Sequence, residues 1–255
     1  MTRTAVYKIL SVPAFGLMYL FTAMMILAGI PFIFLKSKKV VKAMMRFWAG
    51  TIFLIIGKRP EITGSENIDR KLHFILVANH ASLFDIIAII SLFPDISWFG
   101  HERLLRIPVF RRVLILTDYI PMRKASFRNT KEMISLLSRQ ASRNNIAIFP
   151  EGTRTIDGKM NDFYRGFIML LRNTEIDVLP VTLNGFYSLK PKTRFFIDFG
   201  APLNIVIHKS LDRNILIKMS DREIADLVKE KIESSMIPEY ADCTDLTPNP
   251  KTIEA

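Results

Sequence analysis

The feature that most limits how this chain can fold is a segment of 27 residues, Ile9 to Leu35, that contains no charged side chain. As a single helix it would be about 40 Å long at roughly 1.5 Å per residue, which is enough to cross a bilayer. Pro13 and Pro31 interrupt the segment, so a kinked or re-entrant helix is the alternative. A cleaved signal peptide fits less well, because the apolar run is too long and no small-residue cleavage pattern follows it.

A second uncharged run, Phe47 to Gly57, has only 11 residues and is too short to cross a membrane. It fits a helix that lies in the membrane interface. The linker between the two runs, Lys36 to Lys42, carries four lysines, and the positive-inside rule places such a linker on the cytoplasmic side. We therefore expect residues 1–59 to anchor the protein in the cytoplasmic membrane, with the rest of the chain facing the cytoplasm.

The distribution of charge separates this anchor from the rest of the chain. The net charge is +11, yet residues 1–60 hold nine basic and no acidic residues, while residues 61–255 hold 26 basic and 24 acidic ones. A nucleic-acid-binding domain usually carries its basic stripe on the folded part, so nucleic acid is not an expected partner. The basic excess instead indicates anionic lipid headgroups. The single cysteine, Cys243, excludes an internal disulfide and a thiolate zinc cluster, and no metal is expected.

From Glu61 onward, short runs rich in β-branched and aromatic residues alternate with amphipathic runs, which predicts a layered α/β fold. The predicted strands are 73–78, 96–99, 119–122, 146–149, 178–183 and 195–199, and the predicted helices are 82–92, 102–114, 129–144, 164–172 and 221–236. We expect one domain over residues 60–237 and a mobile polar tail over residues 238–255. In such folds the functional groups lie on loops at the ends of strands.

The first loop with unusual chemistry follows the strand that ends near Ala78. Here Asn79 and His80 precede a helix that begins near Ser82, and Asp85 lies in its first turn. Asp85 could accept the Nδ1 proton of His80 and leave Nε2 to take a proton from a hydroxyl. The alternative is structural, because Asp85 stands three residues after Ser82 and could complete a helix cap.

The second such loop is the sequence Phe-Pro-Glu-Gly-Thr-Arg-Thr from Phe149 to Thr155, which ends another apolar strand. Free backbone amides around Gly152 and the guanidinium of Arg154 could together hold a phosphate. The alternative is an ordinary turn with a solvated arginine.

Taken together and in this order, the two loops resemble the glycerolipid acyltransferases, most closely those that act on 1-acyl-sn-glycerol-3-phosphate. The family pattern N-H-x-x-x-x-D matches from Asn79 to Asp85, and F-P-E-G-T-R-[S/T] matches every residue from Phe149 to Thr155. Two weaker blocks match at 119–123 and 178–183. The middle block departs from the family, because Asp118 stands where glycine is usual. The resemblance covers about residues 60–205 and implies a mixed sheet flanked by helices.

The resemblance also implies the chemistry. His80 would be the general base on the free hydroxyl of a lysophospholipid, and Asp85 would orient it. Arg154 and Arg123 would hold the acceptor phosphate, and a final set of residues would shape the acceptor pocket: Glu151, Gly152 and Thr153. The acyl donor would be acyl-CoA or acyl carrier protein, so no cofactor or metal is required, and the product would be phosphatidate.

Three alternatives remain at this point. The enzyme could use another lyso-lipid as acceptor, or Ser82 could be a nucleophile that is acylated with help from His80. From a different class, the chain could be a catalytically silent lipid-binding or membrane-tethering protein, although an intact His80 and Asp85 argue against that.

Overall fold

The computed structural model describes residues 2–69, 72–106, 108–122, 139, 141 and 143–237. The helices are α1 (Arg3–Phe34), α2 (Lys38–Ile55), α3 (Phe84–Leu92), α4 (Pro108–Leu116), α5 (Arg165–Arg172), α6 (Phe186–Leu189), α7 (Arg213–Leu216) and α8 (Asp221–Glu233), with 3-10 turns at Ser65–Asn67 and Glu102–Arg106. The strands are β1 (Glu61–Thr63), β2 (Phe74–Ala78), β3 (Ser97–His101), β4 (Ile120–Met122), β5 (Ile146–Ile148), β6 (Asp177–Asn184) and β7 (Asn204–Ile207).

These strands form one sheet in the order β1-β7-β6-β2-β5-β3-β4. β6 and β7 pair antiparallel, and the other pairs are parallel, which confirms the expected mixed sheet flanked by helices. β2 lies at the centre with all five residues buried, as expected of an apolar strand that is covered on both faces. Because β5 and β6 both run parallel to β2, the three carboxyl ends meet at one edge of the sheet.

Helices cover both faces of the sheet. On one face α2 and α3 pack together, and Phe53 and Phe84 join a buried cluster that includes Phe186. On the other face α5 and α8 contribute Phe167 and Val228 to a second cluster. The two clusters give the three-layer arrangement that an α/β sequence pattern predicts.

The anchor segment folds as two helices that pack against each other. α1 runs without a break from Arg3 to Phe34 although Pro13 and Pro31 lie inside it, and the apolar run 47–57 belongs to α2 apart from its last two residues. By length and composition α1 could cross a membrane. Near its beginning Ser11 Oγ accepts a hydrogen bond of 2.8 Å from the backbone N–H of Ile197, so α1 is bound to the domain that follows it.

The predicted strand 195–199 is wrong. In the structure this segment is a loop whose backbone N–H groups bond elsewhere: Ile197 donates to Ser11, and Asp198 donates to the carbonyl of Leu189 at 2.9 Å. The aromatic residues that favour a strand instead contact α1, since the ring of Phe195 lies 5.8 Å from that of Phe15. The antiparallel partner of β6 is β7, which the sequence pattern did not predict.

The predicted helix 102–114 is divided into a 3-10 turn and α4, which begins at Pro108 because proline favours the first position of a helix. Most of the predicted helix 129–144 lies outside the described residues. Asp118, just after α4, has a φ of 61°, a conformation that glycine adopts without strain. This backbone requirement accounts for the glycine that is usual here, and Asp118 uses the position to bind Lys38 Nζ at 2.7 and 2.9 Å.

Candidate active site

The parallel sheet brings together two loops that are about 70 residues apart in sequence. β2 and β5 are paired from Ile75 with Ile146 to Val77 with Ile148, so the loops that follow them emerge side by side. Asn79 fixes the first loop to β6, because its side chain both donates to and accepts from the backbone of Leu183, at 3.0 and 2.8 Å. The polar residue that starts the motif therefore has a positioning role.

His80 and Asp85 form a hydrogen-bonded pair at this edge. His80 Nδ1 lies 2.9 Å from Asp85 Oδ2, and the Asp85 side chain is fully buried. Because a carboxylate accepts, the facing Nδ1 carries the proton and Nε2 keeps its lone pair. The imidazole stacks on Phe149 with ring centroids 4.0 Å apart, which holds the plane of the ring. This arrangement suits a general base that acts through Nε2.

Asp85 also organises the start of α3. Its Oδ2 accepts the backbone N–H groups of Ala81 at 2.6 Å and Ser82 at 2.7 Å, so one carboxylate serves both the helix start and the histidine. Ser82 is buried, and its hydroxyl donates to the carbonyl of Lys190 at 2.7 Å while it accepts from Phe84 N–H. The hydroxyl is therefore engaged with backbone, which argues against Ser82 as a nucleophile.

The buried side chain of Glu151 connects the two loops. Its Oε1 accepts the backbone N–H of His80 at 2.6 Å, its Oε2 accepts that of Asn161 at 2.8 Å, and the residue is almost completely buried. Burial raises the pKa of this carboxyl to about 7, against the lowering effect of those hydrogen bonds. A further link runs from the N–H of Thr155 to the carbonyl of His80 at 2.8 Å. The carboxylate of Glu151 therefore holds the backbone of His80 from the buried side of the loop.

Gly152 makes the turn that follows. Its φ is 67°, and a Cβ at this position would lie 2.9 Å from a ring carbon of Tyr164, so both conformation and space require glycine. Its own N–H donates to the carbonyl of Phe149 at 3.1 Å. That amide therefore closes the turn, and it is not among the free amides expected for a phosphate. Thr153 is exposed beside it.

Arg154 is half-buried and makes no hydrogen bond or ion pair within the described chain. Burial lowers the pKa of its guanidinium, and the charge of Asp85 acts in the opposite direction. Lys190 lies close by: burial lowers the pKa of its ammonium, and the positive charges of Arg154 and Arg194 lower it further. Two cations that interact with one another, one of which also interacts with Asp85, form a region that favours an anion.

His80 and Phe149 line an apolar cavity of about 510 Å³ that lies between the anchor and the sheet. Side chains of both anchor helices line it, among them Met25 of α1 and Met44 and Trp48 of α2. A cavity of this size and composition is typical of a binding site for an apolar molecule.

The sequence identified most of these groups but missed Lys190. Arg123, the other expected phosphate ligand, lies outside the described residues. Lys190 belongs to no motif, and it reaches the site because the residue after it, Pro191, pairs with Ser82 in an isolated β-bridge. The signal that could have found it is the basic run Lys-Pro-Lys-Thr-Arg that begins there.

The fold and the site define an α/β protein in which a hydrogen-bonded histidine–aspartate pair lies at an apolar cavity. Residues 59–184 match the family described as Acyltransferase. A 1-acyl-sn-glycerol-3-phosphate acyltransferase of Borreliella burgdorferi is 30% identical over 204 residues, which cover 76% of this chain and 80% of that protein. One from Chlamydomonas reinhardtii is 27% identical over 90% of this chain and 69% of its own length.

A solved structure shows the same fold. The crystal structure of the 1-acyl-sn-glycerophosphate acyltransferase PlsC from Thermotoga maritima superimposes with a TM-score of 0.74 at 25% identity, and covers 91% of this chain and 95% of that one. This chain belongs to the acyltransferase family, and it is an enzyme.

Proposed function

We propose that this enzyme transfers a fatty acyl group from acyl-CoA or acyl carrier protein to the sn-2 hydroxyl of 1-acyl-glycerol-3-phosphate, which forms phosphatidate. The observation that carries the proposal is the pair of His80 and Asp85, joined at 2.9 Å, with His80 in the lining of the apolar cavity and Arg154 close enough to interact with the charge of Asp85. The names of the relatives support the same acceptor.

In this reaction His80 Nε2 takes the proton of the acceptor hydroxyl while the oxygen attacks the thioester carbonyl. The tetrahedral adduct then collapses, the C–S bond breaks, and the proton passes from His80 to the leaving thiolate. Asp85 stabilises the imidazolium that forms between these two steps and keeps Nδ1 as the protonated nitrogen. Glu151 acts as a positioning residue because it holds the backbone of His80.

The remaining features bind the two substrates. Arg154 and Lys190 hold the acceptor phosphate, since a phosphomonoester supplies the negative charge that these neighbouring cations lack. Arg123 and Thr153 remain proposed acceptor ligands from the family pattern. The apolar cavity holds an acyl chain with its carbonyl end near His80.

For the anchor, residues 1–59, we propose an orientation in the plane of one leaflet on the cytoplasmic side. α1 is 32 residues long, and residues near both its ends contact the same catalytic domain: Tyr7 packs on Phe199, and Phe34 lies under the guanidinium of Arg112 at 4.6 Å. Because α1 is attached to the catalytic domain near both of its ends, it could cross the bilayer only if that domain crossed as well. The outer face of α1 is apolar and exposed, through Val12, Leu20, Leu27 and their neighbours.

Identification of the product tests the reaction. Detergent-purified full-length protein should convert 1-acyl-glycerol-3-phosphate to phosphatidate, detected by mass, with one or both thioester donors. Lysophosphatidylcholine and lysophosphatidylethanolamine are the comparison acceptors, because they lack the terminal phosphomonoester. A product that forms from these acceptors and not from 1-acyl-glycerol-3-phosphate would show that the proposed acceptor is wrong.

Membrane extraction tests the anchor. Burial of the exposed apolar face of α1 in the bilayer contributes far more to the free energy of membrane binding than the basic residues do. Basic residues at an anionic surface contribute only about 1 kcal/mol each and are screened by salt. High salt and alkaline carbonate should therefore leave the protein in the membrane fraction, and detergent should release it. The variant Lys36→Gln/Lys39→Gln should remain membrane-bound. Release of the unaltered protein by salt alone would contradict the hydrophobic attachment.

A further inference from the structure

A second, polar cavity lies at the junction of the anchor and the catalytic domain. It has a volume of about 440 Å³, and the described residues that line it are all polar or charged: Lys38, Lys42, Asp118, Arg139, Arg143 and Asn144. Four of these six residues are cationic, and Asp118 is the one carboxylate among them. The acyltransferase reaction uses none of these residues.

One of the positive charges of this cavity, that of Arg143, has no carboxylate partner among the described residues. Lys38 binds Asp118, and Lys42 lies 3.4 Å from Asp95, whose carboxylate is largely exposed outside the cavity. Arg143 is exposed and has no ion-pair partner within the described chain. The positive end of α2 lies at the same place, because this helix begins at Lys38. An anion with several oxygen atoms would satisfy these donors together.

The position of the cavity relative to the apolar surface indicates which anion this is. Lys38 follows the end of α1 by four residues, and the chain at that end exposes two large apolar side chains, with Phe34 65% and Leu35 75% accessible. If α1 lies in a leaflet, the cavity is at the depth of the lipid headgroups. Basic groups at that depth bind anionic phospholipids.

We propose that this cavity is a binding site for the phosphate headgroup of an anionic phospholipid, separate from the acceptor site at His80. The headgroup phosphate contacts Lys42 and Arg143, with Arg139 at the rim, while Asp118 limits the affinity because it already neutralises Lys38. The site rests on the in-plane orientation proposed for α1, and it does not depend on the identity of the acceptor.

Binding of short-chain lipids by the full-length protein in detergent tests the site. Dioctanoyl phosphatidylglycerol is titrated against the protein, with dioctanoyl phosphatidylcholine as the lipid of equal chain length and no net charge. The protein should bind the anionic lipid more tightly. Lys42→Gln/Arg143→Gln should weaken that binding roughly 25-fold, taking about fivefold for each charge, and should leave phosphatidylcholine binding unchanged.

Two further variants make the test specific. Asp118→Gly keeps the left-handed backbone and removes the carboxylate, so it should strengthen phosphatidylglycerol binding about fivefold. Lys218→Gln/Arg222→Gln removes the same two residue types from the exposed surface near α8 and should change nothing, because α8 packs on β6 and three strands separate β6 from β4. The proposal is overturned if the Lys42/Arg143 variant keeps the lipid preference, or if inorganic phosphate displaces phosphatidylglycerol at equal concentration.

Discussion

His80→Ala should lower turnover by about 10²–10⁴-fold while the protein remains folded, because that is the usual loss when a general base is removed. The imidazole is buried on one side by Phe149 and bonded by Asp85, so no other described side chain takes its place. Turnover is measured with saturating thioester and 1-acyl-glycerol-3-phosphate in detergent. Thermal unfolding of the same samples reports the fold.

Asp85→Asn should also be severe. An amide at this position can donate to Nδ1 and so favour the wrong tautomer of His80. It also brings an NH2 group close to the N–H groups of Ala81 and Ser82, which the carboxylate now accepts, so a moderate loss of stability should accompany the loss of turnover.

The matched control is His73→Ala, the same substitution just before the amino end of β2, where the side chain is exposed. It should leave turnover within a factor of about two, since surface substitutions away from special features have small effects. A folded His80→Ala protein with activity similar to that of His73→Ala would refute the proposed mechanism.

The sequence could predict the central part of this site because its parts are local. Asn79, His80 and Asp85 lie within seven residues, and an apolar run before them marks the strand. The meeting of this loop with Glu151 follows from one further inference, that both strands are parallel and end at the same edge of the sheet. The short sequence separation of His80 and Asp85 therefore predicts the hydrogen bond between them.

Other features depend on contacts between segments that are far apart in sequence. The segment 195–199 has the composition of a strand, yet Ser11 bonds its backbone from α1, which no local pattern contains. β1 has only three residues, all exposed, so it shows no apolar periodicity. Lys190 reaches the site because Pro191 pairs with Ser82, and secondary-structure propensities do not predict such an isolated bridge.

Arg154→Ala should raise the KM for 1-acyl-glycerol-3-phosphate about 10-fold to 100-fold, because a charge-assisted contact is worth roughly 1.5–3 kcal/mol. Its guanidinium makes no other hydrogen bond in the described chain, so the substitution breaks little of the fold. Lys190→Gln should act in the same direction, and Lys190→Arg should restore most of the affinity. In both KM-raising variants kcat should change much less than KM.

Activity with an acceptor that lacks a phosphate shows whether Arg154 and Lys190 bind the phosphate or stabilise the loops. With 1-acylglycerol, whose hydroxyl reacts in the same way, Arg154→Ala and Lys190→Gln should differ little from the unaltered enzyme, since the lost contact has no partner. The matched control is Lys192→Gln, an exposed lysine two residues from Lys190 whose loss should not change either KM. If the two variants lose the same factor with 1-acylglycerol as with 1-acyl-glycerol-3-phosphate, these cations hold the loops in place, and the phosphate must be bound by other residues.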